Sequence, residues 1–151
     1  MAIELVPDLA VPSPEFAQEA KIAIHDILER NWFRPLASPG GPYRLMLGTA
    51  DNRLLFDIRL ADFSNHGRLL LSLTPFRHIL KEYHAVCRSY HSALHNGHLG
   101  RLEAVDHGRR GLHDEGAQLL IERLNGRIDT DFATARRLFT LLFALSLKAG
   151  A

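Results

Sequence analysis

One segment of the sequence concentrates side chains that could bind an anion or transfer a proton. It reads Asp106-His107-Gly108-Arg109-Arg110-Gly111-Leu112-His113-Asp114-Glu115-Gly116. Glycines let a backbone approach a phosphate closely, arginines neutralise its charge, and the start of a following helix offers free backbone N–H groups. In this interpretation a helix begins near Asp114, and Arg109 and Arg110 form an anion site in front of it.

The same segment supplies the best candidates for catalysis. His113 could act as a general acid or base oriented by Asp106 or Glu115, while the arginines hold an anionic substrate. No serine nucleophile motif accompanies them, and the single cysteine, Cys87, is predicted to be an inert core residue. We therefore expect a non-enzymatic binding or adaptor protein, with an enzyme acting on a phosphorylated or acidic small molecule as the alternative.

The four residues Gly108-Arg109-Arg110-Gly111 also resemble a backbone clamp used in RNA recognition. KH domains hold an RNA strand with a glycine–x–x–glycine loop. Against this, His107 stands where such modules usually have an apolar residue. The expected ligand is accordingly an anionic small molecule, RNA or a protein.

A competing interpretation makes residues 101–124 one imperfect helix. Leu102, Val105, Leu112 and Leu119 would then line one face, and Glu103, Asp106, Arg110 and His113 the adjacent face. Acid–arginine pairs on such a face are ordinary salt bridges. Three glycines within the helix would cost about 3 kcal/mol relative to alanine, so tertiary contacts would have to hold it. The sequence leaves both interpretations open.

A second set of charged residues lies along a predicted helix. This helix is expected to begin at Thr74-Pro75, with Thr74 as its N-cap, and to end at Asn96-Gly97. At spacings of 4, 3, 4, 3 and 4, one stripe carries Arg77, Lys81, His84, Arg88, His91 and His95. The stripe is either a solvated face or a surface for phosphate, RNA or an acidic partner, with Arg77, Lys81 and Arg88 as anion-binding candidates.

The cations of this stripe also bear on its histidines. They disfavour a divalent ion there, so we predict no metal site, and no cofactor is expected elsewhere. Neighbouring cations disfavour a further proton, which predicts a lowered pKa for His84 and His91.

The rest of the chain predicts an α+β fold. A short strand is expected at Ile3–Val6, then a helix from Ser13-Pro14-Glu15 to near Asn31, with Ser13 as N-cap. Period-two alternation predicts an antiparallel meander of three or four strands, with turns at Asp51-Asn52 and Ser64–Gly67 and a third strand at Arg68–Leu73. It should pack against about four helices.

The last of these helices is expected to be capped by Asp129, Thr130 or Asp131 and to end near Lys148. It is apolar all round from Leu138 onward. Such a helix is either the central core helix or an oligomer contact, so we expect a homodimer if its own domain does not wrap it.

Composition and length favour one ordinary domain over residues 1–151. The chain is 46% hydrophobic and 23% charged, with a net charge of +1 that points to no particular partner. One cysteine allows no intramolecular disulfide, and Glu4 and Asp8 precede any basic residue, the reverse of a secretory signal. The longest apolar stretch, Leu138–Leu147, is too short to span a bilayer. We expect a cytoplasmic protein without a membrane partner.

Several segments resemble an uncharacterised protein family of alphaproteobacteria with no assigned activity. They are Pro39–Leu45, Leu71–Pro75, Gly108–Gly111 with His113, Glu115 and Gly116, and Thr134–Leu141. The resemblance covers nearly the whole chain. It implies a compact bacterial cytoplasmic protein and transfers no catalytic residues.

Overall fold

The structure, a computed structural model, describes residues 2–5, 14–36, 40–60, 62 and 64–149. Within these residues the chain forms four helices, α1 (Pro14–Glu29), α2 (Arg77–His95), α3 (Leu99–Leu124) and α4 (Phe132–Ala149). Six strands accompany them, β1 (Ala2–Leu5), β2 (Phe33–Pro35), β3 (Tyr43–Ala50), β4 (Arg53–Leu60), β5 (Asn65–Ser72) and β6 (Ile128–Thr130). The fold is α+β, as the sequence predicts.

The predicted meander is present and forms most of the larger sheet. Strand order is β1-β3-β4-β5, and the last three are antiparallel neighbours. Alternation sets the register: Leu47 lies opposite Phe56, and both are buried on the face that meets the helices. The turn at Asp51-Asn52 is confirmed, with φ of 51° and 59°, the left-handed conformation that a tight hairpin turn requires at both positions.

Three features of the sheets differ from the sequence-based expectation. β1 pairs with β3 in parallel, because α1 lies between the two strands in the chain and forms the crossover that parallel pairing needs. A second sheet joins β2 to β6, and no sequence pattern predicted either of these three-residue strands. The third meander strand also begins earlier than predicted, at Asn65, so the expected turn at Ser64–Gly67 is wrong there.

The beginnings of the first two helices qualify the capping predictions. α1 begins at Pro14 as expected, while its predicted N-cap, Ser13, lies outside the described residues. At the other helix, Thr74 is not the N-cap: residues Thr74–Phe76 form a 3₁₀ turn that leads into α2, without a side-chain cap. The Thr74 hydroxyl instead accepts a hydrogen bond from Asn52 Nδ2 at 3.1 Å.

The C-terminal helix is the central one. α4 packs against α1, α3 and β3. Nine of its side chains are at most 2% exposed, namely Thr134, Ala135, Leu138, Phe139, Leu141, Leu142, Phe143, Ala144 and Leu145. The domain therefore wraps this helix. The homodimer was expected only if the helix were left uncovered, so this helix does not support it. The homodimer stays a prediction. In the described part of the chain, no helix has the length and apolar character needed to cross a membrane.

Candidate functional site

The segment with the strongest chemical signal lies inside one continuous helix. α3 runs unbroken from Leu99 to Leu124, so the loop-plus-helix interpretation is wrong. Residues 114–116 occupy the middle of the helix, where backbone N–H groups bond within the helix and none is available to an anion. For the same reason Gly108–Gly111 cannot act as a KH-type loop clamp.

The glycines are accommodated because tertiary contacts hold α3, as the one-helix interpretation required. Gly116 is buried, and a Cβ atom built on it would overlap the ring of Phe139 in α4. Around Gly111 and Gly100 a Cβ would meet nothing within 4 Å. Gly116 thus allows α3 and α4 to approach closely. Gly100 and Gly111 have no such packing role among the described residues.

Arg109 is held by its own helix and by α2. Its Nε and Nη2 donate to Asp106 Oδ1 at 3.1 and 2.7 Å, and its Cζ lies 4.5 Å from the centre of the Tyr90 ring. The side chain is only 24% exposed. Arg110 contacts the other oxygen of Asp106 through Nε at 3.3 Å, and its side chain is 61% exposed. Asp106 therefore joins two arginines, with Arg109 the half-buried member and Arg110 the accessible one.

His113 is oriented by a threonine, and neither predicted carboxylate does so. Its Nε2 lies 2.8 Å from Thr140 Oγ1, whereas Asp106 is engaged by the arginines and Glu115 is exposed. The Thr140 hydroxyl is also 3.3 Å from the carbonyl oxygen of Arg136, to which it donates. The hydroxyl oxygen then accepts from Nε2–H of His113, and Nδ1 carries a lone pair. That Nδ1 is buried and has no hydrogen-bond partner among the described residues.

The surroundings of His113 keep its imidazole neutral. The ring packs 5.5 Å from Tyr83 and 5.4 Å from Phe139, centre to centre. Burial, reinforced by the positive charges of Arg136 and Arg109 and partly offset by Asp114, lowers the pKa of His113 to about 4. At neutral pH this side chain is an uncharged hydrogen-bonding group beside several cations.

These residues line a cleft to which all four helices contribute. Its volume is about 360 Å³. α1 contributes Glu19, Ile22, Ala23 and Asp26, α2 contributes Tyr83, α3 contributes Arg109, Arg110 and His113, and α4 contributes Ala133, Arg136, Arg137 and Thr140. Three of the predicted site residues, Arg109, Arg110 and His113, thus meet in one cavity, while Asp106 lies behind it as a salt-bridge partner.

Arg136 and Arg137 complete the cleft. Each of them contacts an acid: Arg136 Nε lies 3.0 Å from Asp114 Oδ1, and Arg137 Nε lies 3.8 Å from Asp26 Oδ2. Their position opposite α3 carries no sequence signal, because it depends on how two distant helices pack. The position of Glu19 in the cleft likewise carries no sequence signal. Burial raises the pKa of its carboxyl despite the opposing attraction of Arg109 and His91.

The stripe on α2 divides into two parts. Arg77, Lys81 and Arg88 are exposed and none lines the cleft. The histidines turn toward α1: Phe16 packs against His84 and His91, with ring centres 5.8 and 5.2 Å away.

Two of these histidines contact acidic residues of α1. His91 Nε2 is 3.8 Å from Glu19, and His95 Nε2 is 3.5 Å from Glu15. The predicted lowering of the His84 pKa is confirmed, although burial is the larger cause and Arg88 the smaller. The histidines therefore belong to the packing of α1 on α2.

Cys87 is the buried, unreactive residue that the sequence predicts. Its side chain is fully buried, and burial raises the pKa of the thiol to about 11. A thiol with that pKa is almost entirely protonated at neutral pH, and the thiolate is the nucleophilic form.

Comparison with known proteins places this chain among close relatives. The model of the uncharacterised protein family UPF0262 matches residues 2–148. A UPF0262 protein of Nitrobacter winogradskyi is 49% identical over 91% of this chain and 83% of its own length. One of Caulobacter vibrioides is 50% identical over 91% and 85%, and one of Rhizobium etli is 48% identical over 88% and 85%. No solved structure matches the chain.

Proposed function

This chain belongs to the uncharacterised protein family UPF0262, and we propose that it binds a small anionic molecule in the cleft between α1, α3 and α4. The observation that carries the proposal is the convergence of four arginines from two helices on one cavity beside a neutral histidine. Guanidinium groups recognise carboxylates and phosphates through planar, paired donors. A cavity of about 360 Å³ also lies within the size range of small-molecule sites.

The arginines are not saturated by their present partners. Arg110 and Arg136 meet Asp106 and Asp114 through Nε, and a guanidinium has five N–H donors in total. Their side chains are 61% and 45% exposed, so both can turn toward a ligand. Arg109 is half-buried and held by Asp106 and Tyr90, so it has fewer free donors for a ligand. Its role in the site is to hold Asp106, the partner of Arg110.

The alternative function is an enzyme that uses His113 as acid or base. Its unpartnered Nδ1 is the observation in favour of this alternative. The lowered pKa is the argument against it, because a group with a pKa of about 4 is a weak base at pH 7, and efficient proton transfer favours a pKa near the working pH. We therefore place binding first.

Phosphate titration of the whole protein tests the proposal. Ethyl phosphate is added at low ionic strength, and binding is followed by the shifts of backbone amide resonances. Signals of α3 and α4 residues at the cleft should move, and affinity should fall as salt is raised, since charge neutralisation provides the main attraction.

Paired variants locate the site. Arg110→Gln with Arg136→Gln should reduce affinity at least about tenfold, which corresponds to about 1.4 kcal/mol. The control, Arg77→Gln with Arg88→Gln, removes two exposed arginines of α2 and should change nothing. Loss of binding only in the control would assign the anion to α2 and overturn the cleft proposal, as would a parent protein that binds no phosphate or carboxylate probe.

A further inference from the structure

The two sides of the cleft carry charges of opposite sign. The acidic wall, from α1, consists of Glu19 and Asp26. The basic wall, from α3 and α4, consists of Arg109, Arg110, Arg136 and Arg137. Charge is therefore separated across the cavity, and a ligand that enters it meets carboxylates on one side and guanidinium groups on the other.

The charge around the cleft balances. Asp106 pairs with two members of the basic wall and Asp114 with a third. Together with the two acids of the acidic wall, four carboxylates thus stand against four guanidinium groups. A site of zero net charge offers little long-range attraction to a simple anion, but its separated walls stabilise a molecule that carries both signs.

Glu19 is the incompletely compensated acid of the acidic wall. Its side chain is 30% exposed, and its ion-pair contact is with a histidine, His91 Nε2, 3.8 Å away, which carries a positive charge only when protonated. Burial outweighs the attraction of Arg109 and His91 and raises the pKa of this carboxyl. A positively charged group of a ligand would stabilise the Glu19 carboxylate more than its present protein neighbours do.

Asp26 is less available to a ligand. It already contacts Arg137, another lining residue, with Oδ2 3.8 Å from Nε. Glu19 is therefore the carboxylate to which we assign the ligand's positive group, while Arg110 and Arg136 are the exposed members of the basic wall.

We infer that the ligand of this cleft is a small zwitterion, with an ammonium group toward Glu19 and a phosphate or carboxylate toward Arg110 and Arg136. The inference rests on the proposed function and narrows it to one class of molecule. Amino acids and phosphorylated amines share this chemistry, and the walls discriminate against molecules that carry the anion alone.

Matched probes test the inference. Phosphoethanolamine and ethyl phosphate share the phosphate and differ in the ammonium group; β-alanine and propionate do the same for a carboxylate. Each probe is titrated into the whole protein near pH 7.5, and its dissociation constant is measured from amide resonance shifts. In at least one pair, the zwitterion should bind about tenfold more tightly than its partner, as one favourable charge contact provides.

A variant of Glu19 isolates the cause. Glu19→Gln should remove the preference for the zwitterion and leave the affinity for the simple anion unchanged or improved. Glu29→Gln, which removes an exposed carboxylate of the same helix outside the cleft, should keep the preference. Melting temperatures of both variants establish that they are folded.

The outcomes separate the two proposals. Equal affinity for both members of each pair, or a preference that survives Glu19→Gln, overturns the zwitterion and leaves anion binding intact. Absence of binding by all four probes overturns the proposed function itself.

Discussion

Gly116 and Phe139 are in direct contact where α3 meets α4, with the phenyl ring resting on the space that a Cβ atom would fill. Gly116→Ala should therefore lower the free energy of unfolding by about 1 to 3 kcal/mol, the usual cost of overpacking a core. Gly111→Ala, in the same helix but in open space, should raise it by about 0.5 to 1 kcal/mol, since alanine is the better helix former. Urea denaturation of the two variants measures both, and changes of the same sign would contradict the contact.

His113 should make stability depend on pH in the acid range. The unfolded chain takes up a proton at His113 near pH 6.5, whereas the folded protein does so only near pH 4. The free energy of unfolding contributed by the neutral side chain is thus fully present above pH 6.5 and falls as the pH drops toward 4. The loss amounts to about 3 kcal/mol at 1.36 kcal/mol per pKa unit.

A difference measurement isolates that contribution. Denaturation curves of the parent and of His113→Gln are compared between pH 7 and pH 4, and the gap between them should narrow or reverse as the pH falls. His78→Gln, which replaces an exposed histidine of α2 outside the cleft, serves as the control for removing an imidazole. A constant gap for His113→Gln would show that folding does not lower the pKa of this imidazole.

Arg109 and Arg110 are neighbours in sequence with different structural weight. Arg109→Ala removes two hydrogen bonds to Asp106 and the packing on Tyr90, so the free energy of unfolding should fall by about 1 to 2 kcal/mol. Arg110→Ala removes a mostly exposed ion pair and should cost at most about 0.5 kcal/mol. Equal losses in thermal melts would contradict the burial assigned to Arg109.

Asp131 is the residue that caps α4. Its Oδ1 accepts a hydrogen bond from the backbone N–H of Thr134 at 2.8 Å, and its carbonyl oxygen accepts from Ala135 N at 3.0 Å. Asp131→Ala should therefore cost about 1 kcal/mol. Asp129→Ala, at an exposed position of β6, should stay within about 0.5 kcal/mol of the parent. A larger loss of unfolding free energy for Asp129→Ala than for Asp131→Ala, measured by chemical denaturation, would contradict Asp131 as the cap.

The sequence predicts local structure well where one periodicity dominates. Alternation around Phe56 predicts the meander, because period-two spacing places one face of each strand in the core. The largely apolar stretch from Leu138 to Leu147 predicts a helix that is either central or an oligomer contact, and the structure shows that it is central. A short strand near β1 was predicted, but its parallel pairing with β3 was not, because the partner lies far along the chain. The β2–β6 pair could not be predicted, because three-residue strands carry no period.

The candidate site was half predictable. Arg109, Arg110 and His113 share a segment whose composition points to anions, so reading along the chain finds them. Glycine content made that segment ambiguous, and the answer depends on Phe139, a residue of another helix. Glu19 and Arg136 enter the site only through helix packing, which no local pattern records.

The small β2–β6 sheet has a consequence for how the cleft meets a ligand. It ties the end of α1 to the start of α4, through its own ladder and through two further hydrogen bonds of Trp32. The backbone N–H of Trp32 donates to Thr134 Oγ1 at 2.9 Å, and its carbonyl oxygen accepts from Asp131 N at 3.3 Å. At this end the two helices cannot separate without breaking these bonds. The cavity is therefore preorganised: its shape is set when the protein folds, and a ligand that fits need order little of the backbone around it.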